Sequence, residues 1–117
     1  MAHIALAVSD PARSRRFYET YFEFDARTAW VAEDDVLLIE GPGDVTLALG
    51  ETEEPITLPA FLHFGFRAAN DPKEVRAFRD RLAADGIEIA EFWDEPDYVS
   101  VKCRDPDGYV IEFAWER

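Results

Sequence analysis

Three side chains of types that bind divalent metal ions stand at matching points of this sequence. The chain contains two histidines, His3 and His63, and each opens a strand-like segment, residues 3–8 or 63–68, with a large apolar residue at every second position. Glu112 lies in the last apolar segment, residues 109–115. Two imidazoles and one carboxylate are a ligand set for Zn, Fe, Mn, Ni or Co that leaves positions open for water or substrate. We therefore predict a divalent-metal site with the ligands His3, His63 and Glu112.

The elements that would position these residues repeat along the chain. Each histidine segment is followed by an Asp-Pro pair, Asp10-Pro11 or Asp71-Pro72, which is a signal for the start of a helix. Three strand-like segments then follow each predicted helix. They are residues 26–31, 36–40 and 45–49 in the first half, and 88–92, 99–103 and 109–115 in the second. The pattern predicts an α+β fold of two tandem βαβββ modules.

The length of 117 residues indicates a single domain, 1–117. We expect module one at about 1–51, a linker at about 52–60 and module two at about 61–117. The linker is polar and contains Pro55 and Pro59.

Strand alternation predicts which face each candidate ligand occupies. Bulky residues such as Ile4, Phe64 and Ile111 should pack under the helices, so His3, His63 and Glu112 should lie on the opposite face. Their predicted neighbours on that face are small, namely Ala5, Ala7, Gly65 and Ala114. Small side chains around polar ones predict a hollow rather than a filled core.

The same alternation predicts a polar lining for this hollow. In the segment around residues 99–103, Tyr98, Ser100 and Lys102 lie at alternate positions and so share one face. Arg67 shares the face of His63 in the segment 63–68. We assign catalytic roles to Lys102 and to Glu112, since a cation near a bound oxyanion stabilises developing negative charge. Arg67, Tyr98 and Ser100 are predicted to bind substrate. The alternative for both cations is pairing with surface carboxylates.

Aromatic residues and the cysteine complete the candidates. Trp30 is predicted to form an apolar substrate-binding wall, with ordinary packing as the alternative. Cys103 falls on the apolar face of its strand and is predicted to be buried.

The composition excludes several classes of partner. A formal net charge of −13 argues against nucleic acid, which is bound through clustered Lys and Arg. No apolar run approaches the roughly 20 residues of a membrane span, and the N-terminus lacks the pattern of a signal peptide. With one cysteine, no intrachain disulfide can form, so we expect a cytoplasmic location.

The sequence resembles the vicinal oxygen chelate superfamily, which includes glyoxalase I, bleomycin-resistance proteins, fosfomycin-resistance transferases and extradiol dioxygenases. The resemblance rests on three stretches of the chain: the run His3-Ile-Ala-Leu-Ala-Val-Ser-Asp-Pro-Ala-Arg-Ser-Arg-Arg-Phe-Tyr, the His63 strand, and Asp105-Pro-Asp-Gly-Tyr-Val-Ile-Glu112. It implies a cup-shaped mixed sheet with helices on the convex face, around a divalent ion held by His3, His63 and Glu112. It also implies a small-molecule substrate that chelates the ion through adjacent oxygens, and a homodimer.

The sequence departs from several activities of that superfamily. Glyoxalase I has a fourth ligand, a Glu in the fourth strand, where alignment places Leu47; Glu51 would be only a distant substitute. Fosfomycin-resistance transferases have a Thr two residues after the first His, where this chain has Ala5. Extradiol dioxygenases usually add a further His near the iron, and this chain has no third histidine.

Three functions remain open from the sequence. The first is a metal-dependent lyase, isomerase or dioxygenase, and this is the hypothesis that we favour. The second is a non-catalytic protein that sequesters a drug or toxin. The third is a dimer scaffold with a relic metal triad. The sequence also leaves open whether His3 joins the His63–Glu112 pair of its own chain or of a partner.

Overall fold

A helix and a sheet are combined in each half of the chain. The computed structural model describes residues 2–117, and over that range the chain forms two helices and seven strands. In order they are β1 (Ala2–Val8), α1 (Pro11–Tyr21), β2 (Asp25–Val31), β3 (Leu37–Gly41), β4 (Val45–Glu51), α2 (Pro72–Ala84), β5 (Ile89–Glu95), β6 (Tyr98–Arg104) and β7 (Val110–Glu116). The chain divides into two compact units, residues 1–57 and 58–117, with the boundary inside the predicted linker.

The first unit contains a mixed four-stranded sheet with the strand order β1-β4-β3-β2. β1 and β4 are parallel, with His3 beside Thr46 and Ile4 beside Leu47. The β3–β4 and β2–β3 pairs are antiparallel. Helix α1 packs against β4, and the fully buried Ile39, Leu47 and Leu49 form the core on that side.

Both helices begin as the Asp-Pro pairs predict. Asp10 accepts a hydrogen bond from the Arg13 backbone N–H at 3.2 Å, and Asp71 accepts one from the Glu74 backbone N–H at 2.9 Å. Each proline occupies the first turn, where a missing N–H has no cost. The helices bury matching faces, which include Phe17 in α1 and Leu82 in α2. The helix starts predicted from sequence are therefore confirmed.

The second unit contains an antiparallel sheet with the strand order β5-β6-β7. Helix α2 packs on one side of it. The strands β6 and β7 pair without a break from Tyr98↔Glu116 to Arg104↔Val110. This unbroken ladder keeps the side chains of both strands in strict alternation between the two faces.

The predicted fifth strand at residues 63–68 is wrong as a regular strand. The segment follows β7 in a parallel direction, but only Phe64 forms a bridge, with Ile111. Backbone hydrogen bonds hold it at Phe64 and again at Ala69, and the residues between them are irregular. The physical reason lies at Gly65, where the chain approaches β7 so closely that a Cβ would lie 2.7 Å from the Glu112 carbonyl oxygen.

The α+β class and the tandem βαβββ order are otherwise confirmed. The other predicted strands form within about three residues of their expected bounds. Among residues 2–117, neither helix has the length and apolar character needed to cross a membrane.

Candidate metal and substrate site

Glu112 is the centre of a polar cluster on the sheet face of the second unit that lies opposite α2. The pairing registers place Glu91, Lys102 and Glu112 side by side across β5, β6 and β7. Oε2 of Glu112 accepts hydrogen bonds from the Tyr98 hydroxyl at 3.0 Å and the Ser100 hydroxyl at 2.9 Å. Oε1 of the same carboxylate has no hydrogen-bond partner within residues 2–117. One oxygen is therefore held in place while the other remains open to a ligand.

Lys102 lies between two carboxylates. Its Nζ donates to Oε1 of Glu91 at 2.9 Å and lies 3.9 Å from Oε2 of Glu112. The hydrogen bond to Glu91 is the main cause that raises the pKa of Lys102, and burial opposes it. The same bond lowers the pKa of Glu91. At neutral pH the pair is an ammonium and a carboxylate.

Glu91 is the residue of this cluster that sequence reasoning missed. Strict alternation from Ile89 would place Glu91 on the helix side of β5. A register shift between Ile89 and Glu91 turns it to the face of Lys102 instead. The sequence of the strand does contain a signal for this shift. Strict alternation assigns Glu91 to the buried face, and a charged residue at such a position indicates an irregularity in the strand.

Tyr98 serves as a hydrogen-bond donor to Glu112. Burial is the largest cause that raises its pKa, and the hydrogen bond from Tyr98 to the Glu112 carboxylate acts in the same direction. The Tyr98 hydroxyl therefore keeps its proton throughout the physiological pH range and can donate a hydrogen bond to the Glu112 carboxylate.

His63 is oriented by its own backbone. Nδ1 lies 2.7 Å from the carbonyl oxygen of Phe61, and a carbonyl oxygen can only accept, so Nδ1 carries the proton of this bond. In the neutral ring Nε2 then keeps a free lone pair. Metal-binding histidines commonly donate their second ring N–H to a carbonyl in this way, because it fixes the tautomer and the ring orientation.

His3 lies in the first unit, near the start of β1, and its side chain is exposed. Leu47 pairs with Ile4 and is fully buried on the opposite face of the sheet. The predicted alignment of Leu47 with a fourth-ligand position is therefore wrong. The residues that do share the face of His3 on β4 are Thr46, Ala48 and Gly50, and none of them offers a carboxylate or an imidazole.

Trp30 lies on the same face of the first unit as His3. The pairing places Trp30 beside Leu38, Leu38 beside Ala48, and Ala48 beside Ala5. Its side chain is 58% exposed, which leaves the indole surface open to a ligand. A depression of about 350 Å³ on this unit is lined by the small residues Ala5, Ala7, Ala48 and Gly50 together with Leu6, Val36 and Glu51.

Arg67 does not follow the predicted alternation. Its guanidinium forms an ion pair with Glu74 of α2 at 2.8 Å and stacks over the ring of Phe113 at 4.7 Å. The irregular backbone at Gly65 removes the strand parity on which the prediction depended. Arg67 still lines an open depression of about 560 Å³ in the second unit, together with Tyr98 and Glu112. Its role in substrate binding stays a prediction.

The donor groups of the second unit fit a divalent ion. His63 offers Nε2 and Glu112 offers Oε1, which are ligand types of Zn, Fe and Mn sites. Within the described part of each unit, no three His, Cys, Asp or Glu side chains converge as a complete metal-binding group. The predicted triad takes His3 from the first unit and the other two ligands from the second, so it stays a prediction.

The comparison with family models gives the class of the protein. A model of the Glyoxalase/Bleomycin resistance protein/Dioxygenase superfamily matches residues 1–113. The chain belongs to this superfamily, as the sequence motifs predicted. A search of curated proteins finds no match to the chain.

Solved structures agree on the fold. FosX, a fosfomycin resistance protein from Listeria monocytogenes, is similar with a TM-score of 0.79 at 18% identity, over 97% of this chain and 90% of that one. A glyoxylase/bleomycin resistance protein/dioxygenase domain from Frankia sp. EAN1pec gives 0.77 at 20% identity, over 100% and 97%. A lactoylglutathione lyase from Agrobacterium tumefaciens gives 0.71 at 23% identity, over 97% and 91%. At these identities the likeness shows a shared fold.

Proposed function

We propose that this protein is a small metal-dependent enzyme. Its substrate would be a small molecule that presents adjacent oxygen atoms to a divalent ion. The reaction would be of the lyase or isomerase type, or a dioxygenation with Fe(II). The ligands would be His63 and Glu112 from the second unit and His3 from the first. The observation that carries the proposal is the state of Glu112, which has one oxygen held by Tyr98 and Ser100 and the other open.

The side chains around Glu112 define what the protein would contribute. A bound divalent ion would supply Lewis-acid polarisation of a substrate oxygen. Tyr98 and Ser100 fix the carboxylate that holds the ion, because hydrogen-bonded ligands keep their orientation. Lys102, which stays charged beside Glu91, would stabilise negative charge that develops on the substrate. The exposed Trp93 opposite Ser100 would provide an apolar wall.

A homodimer in a reducing cytoplasm completes the proposal. The family resemblance supports the dimer, and the single buried Cys103 supports the compartment, since it leaves no intrachain disulfide to form.

A non-catalytic binding protein is the second candidate. Trp30 and Trp93 are exposed on sheet faces at 58% and 48%, which suits stacking of an aromatic drug or toxin. Such a protein would bind its ligand equally well with and without metal, so ligand titration in the presence and absence of a chelator separates the two functions.

Metal titration of variants tests the enzyme proposal. The chelator-treated protein is titrated calorimetrically with Fe²⁺, Mn²⁺, Co²⁺, Ni²⁺ and Zn²⁺, and His63→Ala and Glu112→Gln are titrated in parallel. We expect each variant to bind the preferred ion more than about tenfold more weakly, because each loses a ligand atom. Glu116→Gln is the matched control, since Glu116 lies on the same strand face and lines the same depression.

The preferred ion is then used in a substrate screen of α-hydroxy ketones, α-keto acids and catechols. Turnover that requires the ion and is lost in Glu112→Gln would support the enzyme. Absence of affinity for all five ions in the wild-type protein would contradict it.

A further inference from the structure

The strand β5 contains a bulge that decides where Glu91 points. Ile89 pairs with Cys103, which is buried on the helix side, while Glu91 pairs with Lys102 on the opposite face. A regular ladder would have set Glu91 opposite the buried Val101. β-bulges re-aim single side chains in this way and are frequent beside functional sites. The bulge therefore places the Glu91 carboxylate beside Lys102, whereas a regular strand would have directed it to the helix side of the sheet.

The consequence is that Lys102 has two carboxylates within reach and is bonded to one of them. Nζ makes its hydrogen bond with Glu91 at 2.9 Å, and it stays 3.9 Å from Glu112. The hydroxyls of Tyr98 and Ser100, which are neutral donors, occupy Oε2 of Glu112 instead. A direct ion pair between Lys102 and Glu112 would compete with any cation that binds the same carboxylate.

We propose that Glu91 is a positioning residue that holds the Lys102 ammonium away from Glu112, so that the Glu112 carboxylate stays available to a divalent ion. This inference rests on the proposed function, in which Glu112 is a metal ligand. Glu91 itself is not a ligand and acts only through Lys102. Without Glu91, the ammonium moves to Glu112, which is the remaining carboxylate of the cluster. There it weakens binding of the ion, because it occupies the carboxylate and repels the positive charge of the ion.

A double-mutant cycle separates this role from a simple charge effect. The affinity for Mn²⁺ alone is measured calorimetrically for the wild type, Glu91→Gln, Lys102→Met and the double variant. We expect Glu91→Gln to weaken binding about fivefold, which is the effect of one partly exposed charge pair. Lys102→Met should bind at least as tightly as the wild type. The double variant should match Lys102→Met, because Glu91 has nothing left to hold.

Glu95→Gln is the matched control for the loss of a negative charge, because Glu95 lies on the same strand and pairs opposite Tyr98. It should leave the affinity for Mn²⁺ unchanged. If Glu91→Gln weakens binding by the same factor with and without Lys102, or if Glu95→Gln weakens it as much, Glu91 acts as a general negative charge and the positioning role is wrong.

A crystal structure of metal-free Glu91→Gln gives a second readout that needs no ion. We expect Nζ of Lys102 to lie within direct hydrogen-bond distance of the Glu112 carboxylate, rather than 3.9 Å away. A Lys102 side chain that keeps its wild-type position in this variant would overturn the inference. Wild-type protein that binds none of the five ions titrated above would instead contradict the metal site itself, so the failures of the two proposals are distinguishable.

Discussion

At the scale of the residue, the Glu112 carboxylate has one oxygen held by hydrogen bonds, while the other has no hydrogen-bond partner among residues 2–117. Its carboxylate is partly exposed, with 24% of the side chain accessible, so it does not carry the cost of a fully buried charge. Two hydroxyl donors satisfy one oxygen, and the residue lines the open depression of the second unit. This partly exposed carboxylate, with one oxygen oriented by two hydroxyl donors, is the feature on which the proposed ligand role rests.

Cys103 has the opposite character, and it gives a prediction on pH. The thiol is 1% exposed, and burial raises its pKa from 9.0 to about 12. The folded protein therefore binds one more proton than the unfolded chain between these values, so the contribution of Cys103 to stability falls as pH rises above about 9. Urea denaturation of the wild type and Cys103→Ala at pH 7.5 and about 10.5 should show a larger decline in the wild type.

Thiol labelling checks the same property directly. At pH 8 the folded protein should react with a thiol reagent far more slowly than the denatured protein, because burial both raises the pKa of the Cys103 thiol and excludes the reagent. Rapid labelling of the folded protein, or an equal decline of stability in Cys103→Ala, would contradict the buried, protonated thiol.

At the scale of elements, the contact between residues 63–69 and β7 determines the position of the His63 backbone relative to Glu112. Phe64 donates its N–H to the Val110 carbonyl, and Glu112 donates its own N–H to the Phe64 carbonyl at 2.7 Å. Gly65 passes over Glu112 at a distance that leaves no room for a side chain. The segment that contains the predicted ligand His63 is thus hydrogen-bonded through its backbone to Glu112, the other predicted ligand of the second unit.

Gly65→Ala tests this contact. A Cβ would lie 2.7 Å from the Glu112 carbonyl oxygen, so the backbone must shift, and we expect a loss of about 1–3 kcal/mol in the free energy of unfolding. Gly50→Ala is the matched control, because Gly50 lies in β4 with open space around the position of a Cβ. It should leave the stability within about 1 kcal/mol of the wild type. Equal stability of the two variants in urea denaturation would refute the close approach.

Sequence periodicity predicts the face that each side chain occupies wherever the strands are regular. In β6 and β7, alternation correctly places Tyr98, Ser100, Lys102 and Glu112 on one face. It fails where the ladder is broken. The bulge in β5 hides Glu91, and the irregular segment at Gly65 redirects Arg67, because both depend on local backbone geometry that side-chain periodicity does not encode.

An error of another kind concerns Leu47. Its face in β4 depends on register against β1, where Ile4 and not His3 is its partner. Sequence similarity between short strands does not fix register, and a shift of one residue reverses every side chain. On the face of His3, β4 presents Thr46, Ala48 and Gly50, and Glu51 at the end of the strand lines the depression beside Ala48 and Gly50.

At the scale of the whole molecule, the chain is a repeat in which each unit follows the order of strand, helix and three strands, with the first strand of the second unit reduced to a bridge. The formal net charge of −13 favours cations near the protein in general, so binding of a metal ion by itself would be weak support for the predicted site. The location of the ion is what matters, and the proposed triad requires residues of both units.

Paramagnetic NMR locates the ion in a single measurement. Mn²⁺ is added below stoichiometry to uniformly ¹⁵N-labelled protein, and amide signals near the bound ion broaden. We predict that signals of residues 3–5, 62–65 and 110–114 broaden together at the lowest Mn²⁺ concentrations, and that Glu112→Gln abolishes this effect. Broadening confined to the acidic residues 51–54, or absent from one of the three groups, would contradict a metal site built from His3, His63 and Glu112.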